Sequence, residues 1–254
     1  MQIMTDREIK QYISSGADFY VSLFGEAVHM QKVDTEFYSY VKPKEGEHGI
    51  SFIYRVHIED LPTEQKKMVI DEMKAMQMPI WLDLLISAET ASLFSGKEGK
   101  HDQTEYDEDG ESYLALLLEE KREYQEGNDE IIQVRTAEEF AVWARIANDV
   151  LAGGKPDMHP VYHYHLCEEG LMKCYILYHG NTPVSIAATM NDHGAVSLEF
   201  VATIPEMRRR GFAKAVCEKA VTDAFSDGAF IVTVRAVDAA ARRIYQSMGF
   251  KVYR

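Results

Sequence analysis

Cysteine is scarce. Three residues in 254, Cys167, Cys174 and Cys217, make no Cys-x-x-Cys pair and cannot all be disulfide-bonded within one chain, so the expected state is buried thiols in a reducing, cytoplasmic setting. Long apolar runs are also missing. Met78–Ile86 is broken by Asp83 and Tyr113–Leu118 runs for six residues, far short of the roughly 20 that a membrane-spanning helix needs. No basic patch followed by an apolar stretch opens the chain, so neither a signal peptide nor a membrane partner is expected. Histidines fall short of a metal pattern. His163 and His165 would share a strand face near His159, yet two imidazoles without a third ligand do not make a site, and no metal is expected.

Positive charge is the other shortage. Against 41 Asp+Glu stand 27 Lys+Arg, for a net charge of −14. The imbalance is local: residues 1–130 hold 28 acidic and 13 basic side chains, whereas residues 131–254 hold 13 and 14. An acidic half repels a phosphate backbone, which argues against a nucleic-acid partner. It suits a solvated surface, a cationic acceptor or an interaction scaffold. At 46% hydrophobic and 27% charged, the composition excludes disorder and coiled coil.

What is present reads as alternating helix and strand. Thr5-Asp6-Arg7-Glu8 is a capping box opening a helix that Gly16 ends or interrupts, with Tyr20–Val28 as a further helix. Thr35–Val41 and Ile50–His57 read as strands, and Pro62-Thr63 leads a helix to about Gln77. Ile80–Ile86 fits strand or short helix. Gly96–Gly110 reads as a charged loop and Glu111–Tyr124 as a helix. Glu126-Gly127-Asn128-Asp129 is the linker, dividing an acidic α/β domain, residues 1–128, from a second domain, residues 129–254.

The second domain patterns more sharply. Ile131–Arg135 is a strand, and Thr136-Ala137-Glu138-Glu139 caps a helix striped with Phe140, Trp143, Ala144 and Ala147. Tyr162–Cys167 fits a strand or a helix end. Leu171–Tyr178, Val184–Met190 and Ala195–Thr203 form an antiparallel meander. Helix Gly211–Phe225, strand Phe230–Arg235, helix Ala239–Met248 and strand Phe250–Tyr253 then alternate. The fold class is therefore α+β (α/β in a looser naming), a mixed central β-sheet with helices on both faces.

One segment carries chemistry on its face. After the strand ending Val201-Ala202-Thr203, Pro205 turns the chain into Arg208-Arg209-Arg210-Gly211-Phe212-Ala213-Lys214, a basic loop opening a helix. Unpaired N–H groups and the positive end of the helix dipole suit a pyrophosphate there, and Gly211 permits close backbone approach. Neither a Walker loop nor a Gly-x-Gly-x-x-Gly fingerprint is present.

Arg208-x-x-Gly211-x-Ala213 resembles the Arg/Gln-x-x-Gly-x-Gly/Ala signature of the GCN5-related N-acetyltransferase (GNAT) superfamily. Asp238-x-x-Ala241-x-x-x-Tyr245-x-x-x-Gly249-Phe250 is similar to a second pattern of that superfamily, at the expected distance. The resemblance covers roughly Ile131–Arg254. It implies an acyl-CoA N-acyltransferase-like fold and acetyl-CoA as cosubstrate. The amides of Arg209–Lys214 would hold the pyrophosphate, and the pantetheine arm would lie along Val201-Ala202-Thr203. The acetyl carbonyl would sit near the N–H of Val201 or Ala202, where a donor stabilises oxyanion charge. Tyr245 would protonate the departing thiolate. The base that takes the amine's proton is expected at Glu199, a carboxylate in an apolar strand, with His165 and His193 as lesser candidates.

Two departures stand out. Asp238 occupies a position usually held by Asn, which keeps a capping acceptor and drops a donor. The superfamily usually continues to a seventh strand, whereas here only four residues follow Phe250. That strand is absent, supplied by a second copy in a homodimer, or replaced by the N-terminal half. That half is itself compatible with a diverged acetyltransferase-like domain. Its Tyr38, Tyr40 and Trp81 would line an acceptor pocket or pack as core. The expected function is acetyl transfer to a small-molecule amine, with a non-catalytic coenzyme A-binding module as the alternative.

Overall fold

The computed structural model describes residues 4–82, 84–95, 111–121, 127, 129–154 and 160–253. The segment Gly96–Gly110, much of the linker and His159 lie outside the described residues. The chain divides into two compact units, Met1–Glu108 and Asp109–Arg254. No helix among the described residues is long and apolar enough to cross a membrane.

In the first unit α1 (Asp6–Phe24) opens on the expected capping box. The Thr5 hydroxyl accepts from the Glu8 N–H, and the Glu8 carboxylate accepts from the Thr5 N–H at 2.7 Å. Gly16 does not stop this helix. It is buried with Ile9 and Ile13, and burial of that face outweighs the ~1 kcal/mol that a helical glycine costs. Strands β1 (Met30–Asp34), β2 (Ser39–Pro43) and β3 (Phe52–Tyr54) pair antiparallel in that order. The strand expected over Thr35–Val41 is half turn. Thr35 Oγ1 donates to the Tyr38 carbonyl at 2.7 Å and accepts from the Tyr38 N–H at 3.1 Å, reversing the chain between β1 and β2.

Helices α2 (Thr63–Ala75) and α3 (Ala88–Ser95) follow, and Ile80 makes a single parallel bridge to Ile53. The three aromatics pack within this unit. Tyr38 is buried and donates to Glu72 at 2.6 Å, Tyr40 lies against the same cluster, and Trp81 meets Phe52 edge-on.

The second unit runs β4 (Ser112–Leu117), β5 (Glu130–Gln133), α4 (Ala137–Leu151), α5 (Pro160–Glu168), β6 (Met172–His179), β7 (Thr182–Asp192), β8 (Ala195–Thr203), α6 (Phe212–Ser226), β9 (Ile231–Ala236), α7 (Ala239–Met248) and β10 (Lys251–Tyr253). Its seven strands lie in the order β10-β4-β9-β8-β7-β6-β5, antiparallel except for the parallel pair β8–β9. Leu198, Val234 and Leu114 pack with Val216, Ala220, Tyr245 and Met248 of α6 and α7 in one core. Trp143 and Phe140 of α4 sit on the other face, stacked on one another.

The helix expected over Glu111–Tyr124 does not form in its described residues, 111–121. Ser112–Leu117 is a strand between β9 and β10, followed by one 3₁₀ turn. Leu114 to Leu117 are all buried, and a strand enclosed in this way shows no polar alternation by which to distinguish it from an apolar helix. The sheet is thus completed from a segment preceding the second domain as read from composition. Arg242 of α7, itself buried, donates to Ser112 Oγ at 2.9 Å and pins the start of that strand. Residues Tyr162–Cys167 belong to α5, so His163 and His165, two apart on a helix, do not share a face.

Candidate active site

The site begins where two parallel strands part. β8 and β9 pair from Ala195–Ile231 to Leu198–Val234 and no further, which leaves the β9-facing edge of Glu199–Thr203 without a strand. A bulge marks the place. Ile186 pairs with Ala202 and Ala188 with Glu199, so Phe200 and Val201 both stand opposite Ala187. Phe200 takes the left-handed conformation, φ 52°. The Ala202 carbonyl turns to β7 and accepts from Ser185 Oγ at 2.9 Å. Alternation along the strand turns the Val201 amide the other way, to the open side.

The loop after β8 presents its backbone. Pro205–Met207 forms a 3₁₀ turn, Arg209 and Gly211 both adopt positive φ (64° and 88°), and α6 starts at Phe212. Among the described residues no backbone or side-chain acceptor meets the amides of Arg209, Arg210, Gly211, Phe212, Ala213 and Lys214; the first closed bond of the turn is Ala215 N–H to the Gly211 carbonyl. Left-handed residues flanking a helix start make a concave nest of N–H groups that receives an anion. A Cβ at Gly211 would meet nothing within 4 Å, so this position lies open. An acyl-coenzyme A pyrophosphate fits such a nest.

The side chains of the motif divide in their duties. Arg208 folds back, its Nε donating to the Thr203 carbonyl at 3.1 Å, while Arg209 and Arg210 are exposed. Phe212 is buried with its ring 5.2 Å from that of His179, and Lys214 pairs with Glu218 along the helix. Asp238 caps α7 by accepting from the Ala241 N–H at 2.7 Å, so the carboxylate keeps the capping function. Ala202 and Thr203 are buried, with Val201 half-buried against the core.

Glu199 is the first residue past the last β8–β9 pair, and Arg235 is its counterpart on β9. Glu199 is half-buried, and its carboxyl is pushed up to about 7 by desolvation, against the opposing pull of the Arg235 guanidinium and the Ser197 hydroxyl. Arg235 also donates to both carboxylate oxygens of Glu111 at 3.2 Å. Tyr245 comes from the opposite face of the sheet. It is 4% exposed, with its ring 6.0 Å from that of Phe250. Burial raises its phenol well above the ordinary value, and Cys217, Glu199 and Asp238 add to the shift.

His193 is an exposed turn residue bonded to Asp192, and His165 lies on α5. Arg235 and Trp143 were not singled out from sequence as site residues. A lone charged residue ending the apolar strand Phe230–Arg235 was the available sign for the first; nothing local marks the second.

A family model described as the Acetyltransferase (GNAT) family matches residues 130–250. Among solved structures, a GCN5-related N-acetyltransferase from Kribbella flavida superposes with a TM-score of 0.60 at 17% identity, over 94% of this chain and 91% of that one. A Drosophila protein gives 0.56 at 12% identity, over 98% and 88% of the two chains. A functionally unknown conserved protein from Staphylococcus epidermidis gives 0.54 at 11%, over 93% and 92%. No curated protein matches the chain at a significant level. These likenesses, none above 17% identity, show a shared fold over most of the chain's length, a mixed α/β architecture consistent with an acyl-CoA N-acyltransferase-like fold.

Proposed function

We propose that the protein moves an acetyl group from acetyl-coenzyme A directly to a primary amine of a small, cationic molecule. The observation that carries this reading is the run of unpaired amides from Arg209 to Lys214 around two left-handed residues. In support stand the family model over residues 130–250 and the open edge of β8 beside it.

Each residue then has one task. The nest holds the pyrophosphate, and the edge at Val201–Thr203 offers backbone groups to the amide-bearing pantetheine arm. The Val201 N–H faces the acetyl carbonyl and stabilises charge on its oxygen. Glu199 takes the proton of the attacking ammonium or amine, a task suited to a carboxyl titrating near neutrality. Tyr245 keeps its proton at working pH and gives it to the departing thiolate.

Calorimetric titration with acetyl-coenzyme A, followed by a screen of amines for thiol release, tests the reading. Binding together with amine-dependent release is expected; no binding refutes it. A coenzyme A-binding module without catalysis is the second reading, favoured by the enclosure of Tyr245 in the core. Tight binding with no release from any amine selects it.

A further inference from the structure

Cys167 and Cys174 come together without belonging to the site above. Cys167 lies near the end of α5 and is half-buried; Cys174 lies in β6 and is buried. Their sulfurs are 3.8 Å apart. The connection between them is fixed by two hydrogen bonds. The Leu171 N–H donates to the Leu166 carbonyl at 3.0 Å and the Gly170 N–H to the Cys167 carbonyl at 3.1 Å, with Gly170 at φ 73°. This pairing is a Schellman helix end. It holds the last turn of α5 against the first residues of β6, so the loop-closure entropy of joining the two thiols has already been met by folding.

We propose that this pair is a modification site at which a hydroperoxide-class oxidant forms a reversible intramolecular disulfide. Cys167, the reachable thiol, attacks the peroxide as thiolate. Its sulfur takes one oxygen, the O–O bond breaks, and water or an alcohol leaves, giving a sulfenic acid. The Cys174 sulfur then attacks the Cys167 sulfur. The S–O bond breaks, and the oxygen leaves as water with the Cys174 proton. Two thiols and one hydroperoxide become one disulfide, one water from the sulfenic oxygen and one water or alcohol from the remainder of the peroxide, the sulfurs losing the two electrons that the peroxide gains.

Closing from 3.8 Å to a bond of about 2 Å takes side-chain rotation within the reach of two thiols already in contact. Cys217 does not compete, because it is buried in α6 on the other face of the sheet. Cys174 pairs with Ala188 and Ala188 with Glu199, so the cross-link ties α5 to the sheet face that carries Glu199.

The test treats the full chain with a slight excess of hydrogen peroxide and counts thiols alkylated in denaturant. The expected result is a fall from the three thiols of the free chain to one. A non-reducing digest should contain a peptide linked through Cys167 and Cys174, and dithiothreitol should restore all three thiols. Cys217→Ser should retain the linked peptide and Cys167→Ser should lose it. Three alkylatable thiols after treatment, a link between two chains, or sulfinic acid at Cys167 without a linked peptide would each overturn the proposal. The wild-type digest decides the matter even where a variant folds poorly.

Discussion

The indole Nε1 of Trp143 donates to the Ala187 carbonyl at 3.0 Å, in the buried layer between α4 and the sheet. Ala187 is the residue that faces the bulge of Phe200 and Val201, and the Phe200 ring meets the Trp143 ring edge-on at 5.2 Å. Ala187 also pairs with Tyr175 of β6, and the indole adds a donor from the helix layer at the residue opposite the bulge. The bend that separates β8 from β9 is therefore held from α4, the neighbouring layer.

Trp143→Phe keeps most of the volume and removes the donor. Losing a buried hydrogen bond of this kind costs about 0.5–1.5 kcal/mol. Urea unfolding monitored by circular dichroism should show that loss with an unchanged m-value; a loss within error of zero would mean that the bond does not support the bulge.

Gly211→Val forces a branched side chain into a left-handed backbone, at roughly 1–2 kcal/mol. Space is not the obstacle, since a Cβ there meets nothing within 4 Å. Acetyl-coenzyme A affinity should fall about tenfold by calorimetry, while Gly211→Asn, a residue that tolerates this conformation, should retain most of it. Equal affinity for all three proteins would remove the nest from the binding reading.

Glu199→Gln should lower kcat about 100-fold and leave coenzyme affinity unchanged. In the unsubstituted protein the rate should fall about tenfold per pH unit below the carboxyl's value near 7, because a base acts only when deprotonated. The substitution should flatten that limb. Stability carries the opposite sign. A carboxyl raised from 4.5 to about 7 holds a proton in the folded state that the unfolded chain releases. Its contribution is full below 4.5 and is lost as the pH rises through 7. Glu199→Gln should therefore raise the melting temperature at pH 8 relative to the parent protein and not at pH 4.

Tyr245→Phe should lower kcat about 100-fold with coenzyme affinity within about twofold. Because the ring packs against Phe250 in the core, Phe preserves its contacts. Equal losses in turnover and affinity, measured by thiol release and calorimetry, would assign the residue to packing alone.

Local rules were legible wherever one residue answers a neighbour. Both capping boxes, Thr5 with Glu8 and Thr136 with Glu139, form as their spacing requires. The meander β6–β7–β8 and the Arg208–Lys214 loop lie where alternation and glycine placed them. Where burial overrides propensity, local reading failed. Gly16 passes through the middle of α1 because its helix face is covered. Ser112–Leu117 reads as helix because every residue from Leu114 onward is buried in the sheet.

Within the chain's own chemistry, sequence alone determined the loop of unpaired amides, since glycine at position 211 and a helix beginning at Phe212 dictate free N–H groups there whatever surrounds them. Tertiary structure alone decided which groups meet. Glu199 stands level with Arg235 only because β8 and β9 lie in parallel in this register, and Cys167 touches Cys174 only because a helix end is folded back onto a strand. The physical reason is separation along the chain. Backbone conformation and capping are settled within about four residues, whereas strand order, the placing of β4 beside β9 and the desolvation of a carboxyl depend on packing between elements distant in sequence.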